Sequence, residues 1–405
     1  MIAKDTISEV ISNQIEVFFK DKPIEREIEL PSETNRVIVI SGIRRCGKST
    51  LIKQKYLNEN NALCINFEDP RLVGFDLNDF SRLENILTEQ NKKWILLDEV
   101  QVIDKWELYV RSAHERKINV VITGSNASLL SKELGTKLTG RYQQKELFPF
   151  NYNEFLIFRK KEASLDSFTE YFEQGGFPEY LEEPEPDYHR TLLRDIIIRD
   201  IAVRRNLQNE KQLLRLAVHL LSNIGKEFSY NKLSKMLEIK SVRTVIDYCD
   251  YLTESYLVDF IPMFSWSAGK QMVNAKKAYA VDAAFAVSNS LSFSKDLGRR
   301  LENMIYNKLR ASGNKVFYFR NYESECDFVV VDDEVKMVIQ VCWDINNDNI
   351  DREMRGLQAA KQETGAQEGF IITYNQSDNI DGIELIPAWK WMLGYLPSIK
   401  NKNRE

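Results

Sequence analysis

The chain has 405 residues, 43% of them hydrophobic and 28% charged, with a formal net charge of -5. Its length exceeds the usual size of one hydrophobic core, so two or three domains are expected, and its composition excludes disordered and fibrous classes. The negative balance supplies no overall attraction to nucleic acid or anionic lipid, so any such binding must be local.

The N-terminal segment MIAKDTISEVISNQIEVFFK interrupts its apolar positions with acids and polar residues and lacks the h-region of a signal peptide. No later run approaches the roughly 20 apolar residues of a membrane span. The five cysteines (Cys46, Cys64, Cys249, Cys326, Cys342) are scattered, odd in number and in no metal-ligand spacing, which reads as reduced thiols of a cytoplasmic protein without membrane contact.

Residues 1 to 34 read as an N-terminal helical segment. RVIVIS (36 to 41), ALCINF (62 to 67), WILLDE (94 to 99) and NVVITG (119 to 124) follow as short, nearly continuous apolar runs separated by helical stretches. That pattern marks parallel strands buried on both faces and predicts a doubly wound α/β domain over 35 to 155. From 156 to 207 the pattern turns helical and reads as a lid that includes TLLRDIIIRDIAVRRN. Over 208 to 285, QLLRLAVHLLSNI, NKLSKMLEI and SVRTVIDYCDYLTES are three helical runs followed by the strand-like YLVDFIPMF, an order that suggests a winged helix-turn-helix. Over 286 to 398, the helix RRLENMIYNKLRAS, strands VFYFR, CDFVVV and KMVIQVCW, a helix near 351 to 363 and the strand GFIITYN predict a separate α/β domain.

Chemistry concentrates at Gly42, Ile43, Arg44, Arg45, Cys46, Gly47, Lys48, Ser49 and Thr50. These residues satisfy the phosphate-binding loop G-x-x-x-x-G-K-[ST] between an expected strand and an expected helix. The two glycines allow amide groups to converge on phosphate oxygens, and the positive end of the following helix favours their charge. Lys48 is expected on the β- and γ-phosphates and the Ser49 hydroxyl on Mg²⁺. Asp98 and Glu99 emerge at the end of WILLDE, where ligands bind in open α/β sheets. Asp98 suits the metal shell, and Glu99, expected on the other side of the strand's pleat, suits orienting or deprotonating the attacking water. Ser125 and Asn126 end another buried strand and serve either as γ-phosphate sensors or as the N-cap of the next segment. Arg141 is a candidate arginine finger, in its own chain or across a subunit interface of a homo-oligomer. The nucleotide is expected to be ATP, because the guanine-reading N-K-x-D pattern fails at NKKW, where Trp94 replaces the aspartate.

SGIRRCGKST, LLDEVQ with Trp106 following, VITGSN, LTGRYQQKELFPFNYNEF and GGFPEYL together resemble a prokaryotic AAA-type ATPase family, from about Asn35 to at least Trp343. The resemblance implies an AAA+-like core followed by a domain of uncharacterised function that looks like the PD-(D/E)xK nuclease fold. In that pattern Asp327 matches the first acid, and Glu302 lies where some members carry another. The E-x-K element falls on Gln340 and Cys342, which remove a carboxylate and the lysine that such a site needs for Mg²⁺ and its water. Lys336 is the candidate replacement on the same hairpin. A degenerate, binding-only domain is therefore expected.

For the winged helix, Arg243, Asp247, Asp250 and Tyr251 are expected outward, and the two acids oppose phosphate. Lys232, Lys235, Lys240 and Arg243, with Lys270, Lys276 and Lys277 near the wing, offer a local basic edge. DNA and a protein partner both remain open. The whole reads as an ATP-hydrolysing switch that couples nucleotide state to its downstream modules. The alternatives are an ATP-regulated DNA-binding protein or nuclease, and a non-hydrolysing nucleotide-dependent scaffold.

Overall fold

A computed structural model describes residues 1–18, 23–57, 61–126, 140–292 and 296–395. The chain packs as two compact units. The first is Met1–Pro149 with Glu254–Tyr256, and the second is Phe150–Thr253 with the chain from Leu257 onward. The segments expected as lid, winged helix and C-terminal domain all fall in the second unit.

The first unit holds a parallel sheet of β1 (Val37–Ser41), β2 (Ala62–Asn66), β3 (Trp94–Asp98), β4 (Asn119–Gly124) and β5 (Tyr142–Glu146) in the order β2-β3-β4-β1-β5. Every residue of β1 and β3 is buried, as expected for strands covered on both faces. The helices α1 (Lys4–Phe18), α2 (Lys48–Leu57), α3 (Asp79–Glu89) and α4 (Trp106–Glu115) accompany the sheet. The N-terminal segment is part of this unit's core. Ile7, Val10 and Ile11 of α1 are buried with Val37, Leu63, Phe80 and Trp106 in one apolar cluster. Phe80 stacks on Tyr109 at 3.8 Å between ring centroids, joining α3 to α4.

This topology places the phosphate loop. β1 lies between β4 and β5, so the loop that leaves its carboxyl end opens beside the ends of β4 and then β3. Residues that follow β1, β3 and β4 therefore converge on one edge of the sheet.

In the second unit, helices Tyr152–Arg159, Leu165–Gln174 and Tyr188–Asp195 lead into a π-helical stretch, Ile196–Val203, within the segment read as helical. Helices Glu210–Leu221, Tyr230–Met236 and Val242–Glu254 then alternate with a small antiparallel sheet of β6 (Glu227–Phe228), β7 (Val258–Pro262) and β8 (Lys276–Ala280), ordered β6-β8-β7. After helix Leu297–Ala311 comes a six-stranded sheet of β9 (Lys315–Arg320), β10 (Glu325–Asp332), β11 (Glu334–Cys342), β12 (Glu368–Thr373), β13 (Asp378–Ile380) and β14 (Ile383–Pro387). Its order is β13-β14-β12-β11-β10-β9, with antiparallel β9-β10-β11 and a parallel β11-β12 pair joined across helix Ile350–Thr364. β9 to β12 match the four strands expected from the sequence, and the closing hairpin β13-β14 is additional. Among the described residues, no helix is long and apolar enough to cross a membrane.

Candidate functional site

The loop from Gly42 to Lys48 turns on residues that tolerate unusual backbone. Arg45 (φ 65°) and Gly47 (φ 96°) are left-handed, and the turn closes with the Cys46 amide donating to the Ile43 carbonyl at 3.4 Å. A Cβ at Gly42 would meet the Leu147 carbonyl oxygen at 2.1 Å, so this position needs glycine because another backbone passes there. Below the loop, Arg26 donates to the carbonyls of Cys46 (2.9 Å) and Phe148 (2.7 Å), fixing the loop's base. Lys48 is the first residue of α2 and is 4% exposed, its ammonium donating to the carbonyls of Gly42 (3.1 Å) and Ile43 (3.0 Å).

Across from the loop, Asp98 is completely buried at the end of β3. One carboxylate oxygen accepts from the Thr123 hydroxyl (2.6 Å) and the other from the Asn66 amide (2.8 Å). Both donors are neutral, and each oxygen keeps a further lone pair. A buried carboxylate with neutral partners facing a lysine-bearing loop suits a divalent cation, and Ser49 at the start of α2 is the matching hydroxyl.

Glu99 departs from expectation in its backbone. It is left-handed (φ 52°, ψ 45°), outside the strand rather than on the far side of its pleat, and opens a short 3-10 turn over Val100–Val102. Its amide donates to the Thr123 hydroxyl at 3.0 Å, so that hydroxyl ties Glu99 to Asp98. The turn brings the Glu99 carboxylate to 3.7 Å from the Lys48 ammonium, and the Gln101 amide donates to its other oxygen. Burial, reinforced by Asp98 and Glu68, holds the Glu99 carboxyl above its ordinary value, with Lys48 and Gln101 pulling it back. Arg44 of the loop pairs with Glu68 beyond β2 at 2.8 Å.

Ser125 and Asn126 are buried directly after β4, on the edge that carries the loop. The segment for which Ser125 was the alternative N-cap lies outside the described residues. Arg141 lies apart from the loop. It directly precedes β5, and its carbonyl accepts from the amide of Val37 at the start of β1. It therefore sits at the amino edge of the sheet, a strand length of about 16 Å from the loop. Asn66, Thr123 and Arg26 are isolated polar residues whose pairing spans up to 122 positions, so no local pattern marks them, whereas Gln101 pairs with Glu99 two residues away.

The second unit gathers another polar site, in a cavity of about 540 Å³. Glu302 of helix Leu297–Ala311 and Asp327 of β10 both line it, and the group between them is Lys277 of β8. Lys277 was expected on an exposed basic edge and is instead 2% exposed. Lys336 is also corrected: it is half-exposed, paired with Asp332, and not among the cavity's lining residues. Gln340 donates to Glu353 (2.6 Å) and accepts from the Asp327 amide (3.3 Å), while Cys342 donates to the Asp344 carbonyl (3.3 Å). Arg243, expected outward on its helix, is exposed and pairs with Asp247 at 3.0 Å.

Burial, then Glu302, pushes the Asp327 carboxyl up to about 8. Above the ordinary carboxylate range and below about 8, the folded chain keeps a proton that the unfolded chain has released, so stability falls as pH rises through that window. Thermal unfolding from pH 5 to 8 is expected to show this fall more steeply in wild type than in Asp327→Asn. Equal slopes in the two proteins would contradict the assignment.

The AAA domain family matches residues 34–156, and a domain of unknown function, DUF8612, matches residues 165–296. The uncharacterized protein MJ1544 of Methanocaldococcus jannaschii is 32% identical over 97% of this chain and 96% of its own length. An uncharacterized protein of Haemophilus influenzae is 29% identical over 89% of this chain and 95% of its own, and MJ1637 of Methanocaldococcus jannaschii is 23% identical over 91% and 86%. With an AAA-type P-loop domain over residues 34–156, its loop at the carboxyl edge of a parallel sheet, and near full-length similarity to the first of these relatives, the chain belongs to the same family as MJ1544.

Proposed function

We propose that the protein is an ATP-hydrolysing molecular switch whose nucleotide state is read by its second unit. The observation that carries this reading is the convergence of Lys48, Glu99 and the Thr123-bound Asp98 on one sheet edge, with Lys48 and Glu99 3.7 Å apart. The loop amides and Lys48 bind the β- and γ-phosphates, and Lys48 exchanges its two carbonyl partners for phosphate oxygens. Ser49 and Asp98 would hold Mg²⁺, which would supply positive charge to neutralise the charge that develops on the phosphates. Glu99 orients the attacking water and takes its proton, and Ser125 or Asn126 senses the γ-phosphate. Arg141, a strand length away from its own loop, acts only on the site of a neighbouring copy in a homo-oligomer.

In this reading the 208–285 segment is a winged helix and the last segment a degenerate nuclease-like fold, so the second unit recognises rather than cleaves. A phosphate-release assay with and without duplex DNA tests it. Release above a Glu99→Gln control is expected. Stimulation by DNA identifies nucleic acid as the partner of the switch, and an unchanged rate identifies a protein. No release above the control contradicts hydrolysis and leaves a nucleotide-dependent scaffold.

A further inference from the structure

The nuclease-like resemblance of the second unit implies a divalent cation between Glu302, Asp327 and the residues at positions 340 and 342. The residues present do not fit one. Gln340 is neutral and occupied on both sides, by Glu353 and by the Asp327 amide. The Cys342 thiol is engaged on both sides, donating to the Asp344 carbonyl at 3.3 Å and accepting from the Asn349 amide at 3.6 Å. Among the described residues, no group of three or more histidines, cysteines and acids is arranged to hold a metal.

The space between the carboxylates is filled from elsewhere in the chain. The Lys277 ammonium lies 2.8 Å from Glu325, 3.3 Å from Glu302 and 3.3 Å from Asp327. The ring of Tyr318 faces it at 5.5 Å. Each buried acid has a second anchor: Glu302 accepts from the Tyr279 hydroxyl at 2.5 Å and Asp327 from the Val341 amide at 2.9 Å. These contacts hold the cluster around one point. Lys277 stands on the central strand of the small sheet, Glu302 on a helix and Asp327 on the large sheet, so one cation joins three elements.

We propose that the Lys277 ammonium is the resident cation of this cavity, held by Glu302, Asp327 and Glu325 in place of a divalent metal, so that the cavity works without one. The claim goes beyond the ATPase reading and is independent of it. A buried ammonium costs several kcal/mol to desolvate unless paired. Glu302 and Glu325 supply that pairing, with Asp327 accepting at 3.3 Å: burial alone would depress the ammonium, yet the surrounding acids hold it well above its ordinary value. A divalent ion would have to displace this fixed charge from the point where the three acids meet.

Mn²⁺ titration followed by electron paramagnetic resonance, on the nucleotide-free full chain at pH 8, tests the proposal. Wild type and Asp327→Asn are expected to give the same isotherm. Lys277→Met, an uncharged side chain of similar length, is expected to gain one Mn²⁺ site at least tenfold tighter than anything in the cluster of wild type. Adding Asp327→Asn to Lys277→Met should abolish that gain. A site present in wild type and lost in Asp327→Asn overturns the proposal, as does a folded Lys277→Met protein that gains none. Comparison of wild type with Asp327→Asn decides the first point even if the Lys277 variant fails to fold.

Discussion

Glu99→Gln is expected to lower ATP-dependent phosphate release by about 10²–10⁴-fold, the span that a positioned general base contributes. Glutamine keeps the size of the side chain and can still accept from Gln101, so the turn that opens at residue 99 should survive. What disappears is the proton acceptor. Nucleotide affinity should hold or tighten, because Lys48 loses a carboxylate neighbour at 3.7 Å and its charge becomes more available to phosphate. Single-turnover release and equilibrium binding, measured on the same preparation, separate the two effects. A parallel fall in rate and affinity would show that Glu99 supports the fold of the loop rather than the chemistry. Glu99 must also be ionised to act. Because burial raises its carboxyl, the wild-type rate should fall with decreasing pH above the ordinary carboxylate range, and Glu99→Gln should lack that acid limb.

Gly42→Ala attacks the same site through the backbone. The new methyl group would lie 2.1 Å from the Leu147 carbonyl oxygen and 3.2 Å from the Cys46 sulfur. The carbonyl cannot swing aside freely, because the amide of the same residue donates to Ser41 at 2.8 Å and holds that strand edge in place. Overpacking of this kind costs about 1–3 kcal/mol. Relief comes from moving the loop, which disperses the amides that converge on phosphate. The unfolding midpoint of the first unit should fall by at least about 2 °C, with ATP affinity lost. Gly298→Ala in the second unit, where the nearest atom to an added Cβ is 3.9 Å away, should change neither. Retained ATP affinity in Gly42→Ala would mean that the loop reaches phosphate in another conformation.

Local chemistry explains what the sequence made legible. Four of the five parallel strands announce themselves because strands covered on both faces must be apolar throughout. The fifth, β5, reads YQQKE: it stands at the sheet's edge with one neighbour, is only partly buried, and has no periodic signal to find. The phosphate loop and the Asp98-Glu99 pair are contiguous motifs, so spacing alone located them. Asn66 and Thr123 grip Asp98 from positions 32 and 25 residues away, a relation that exists only once the strands align.

Lys277 is the clearest failure of local reading. A lysine beside another lysine, near an expected turn, reads as solvated charge. Its burial is set by acids 25, 48 and 50 positions further along the chain, brought to it by a helix and a strand of a second sheet. Lys336 made the opposite error possible: it lies on the expected hairpin but pairs outward with Asp332. Arg141 lies away from its own loop for a topological reason, since a parallel strand that begins beside the start of β1 delivers its first residues to the opposite edge.

Calorimetric titration with Mg·ATP, carried out on wild type and on Lys48→Ala, tests the nucleotide site most directly. Wild type is predicted to bind at one site. Removal of a buried ammonium opposite phosphate should weaken binding by at least roughly 30-fold, the lower end of what loss of one partner in a buried charge pair costs. Absence of binding by the wild-type chain, or affinity unchanged in Lys48→Ala, would contradict the account.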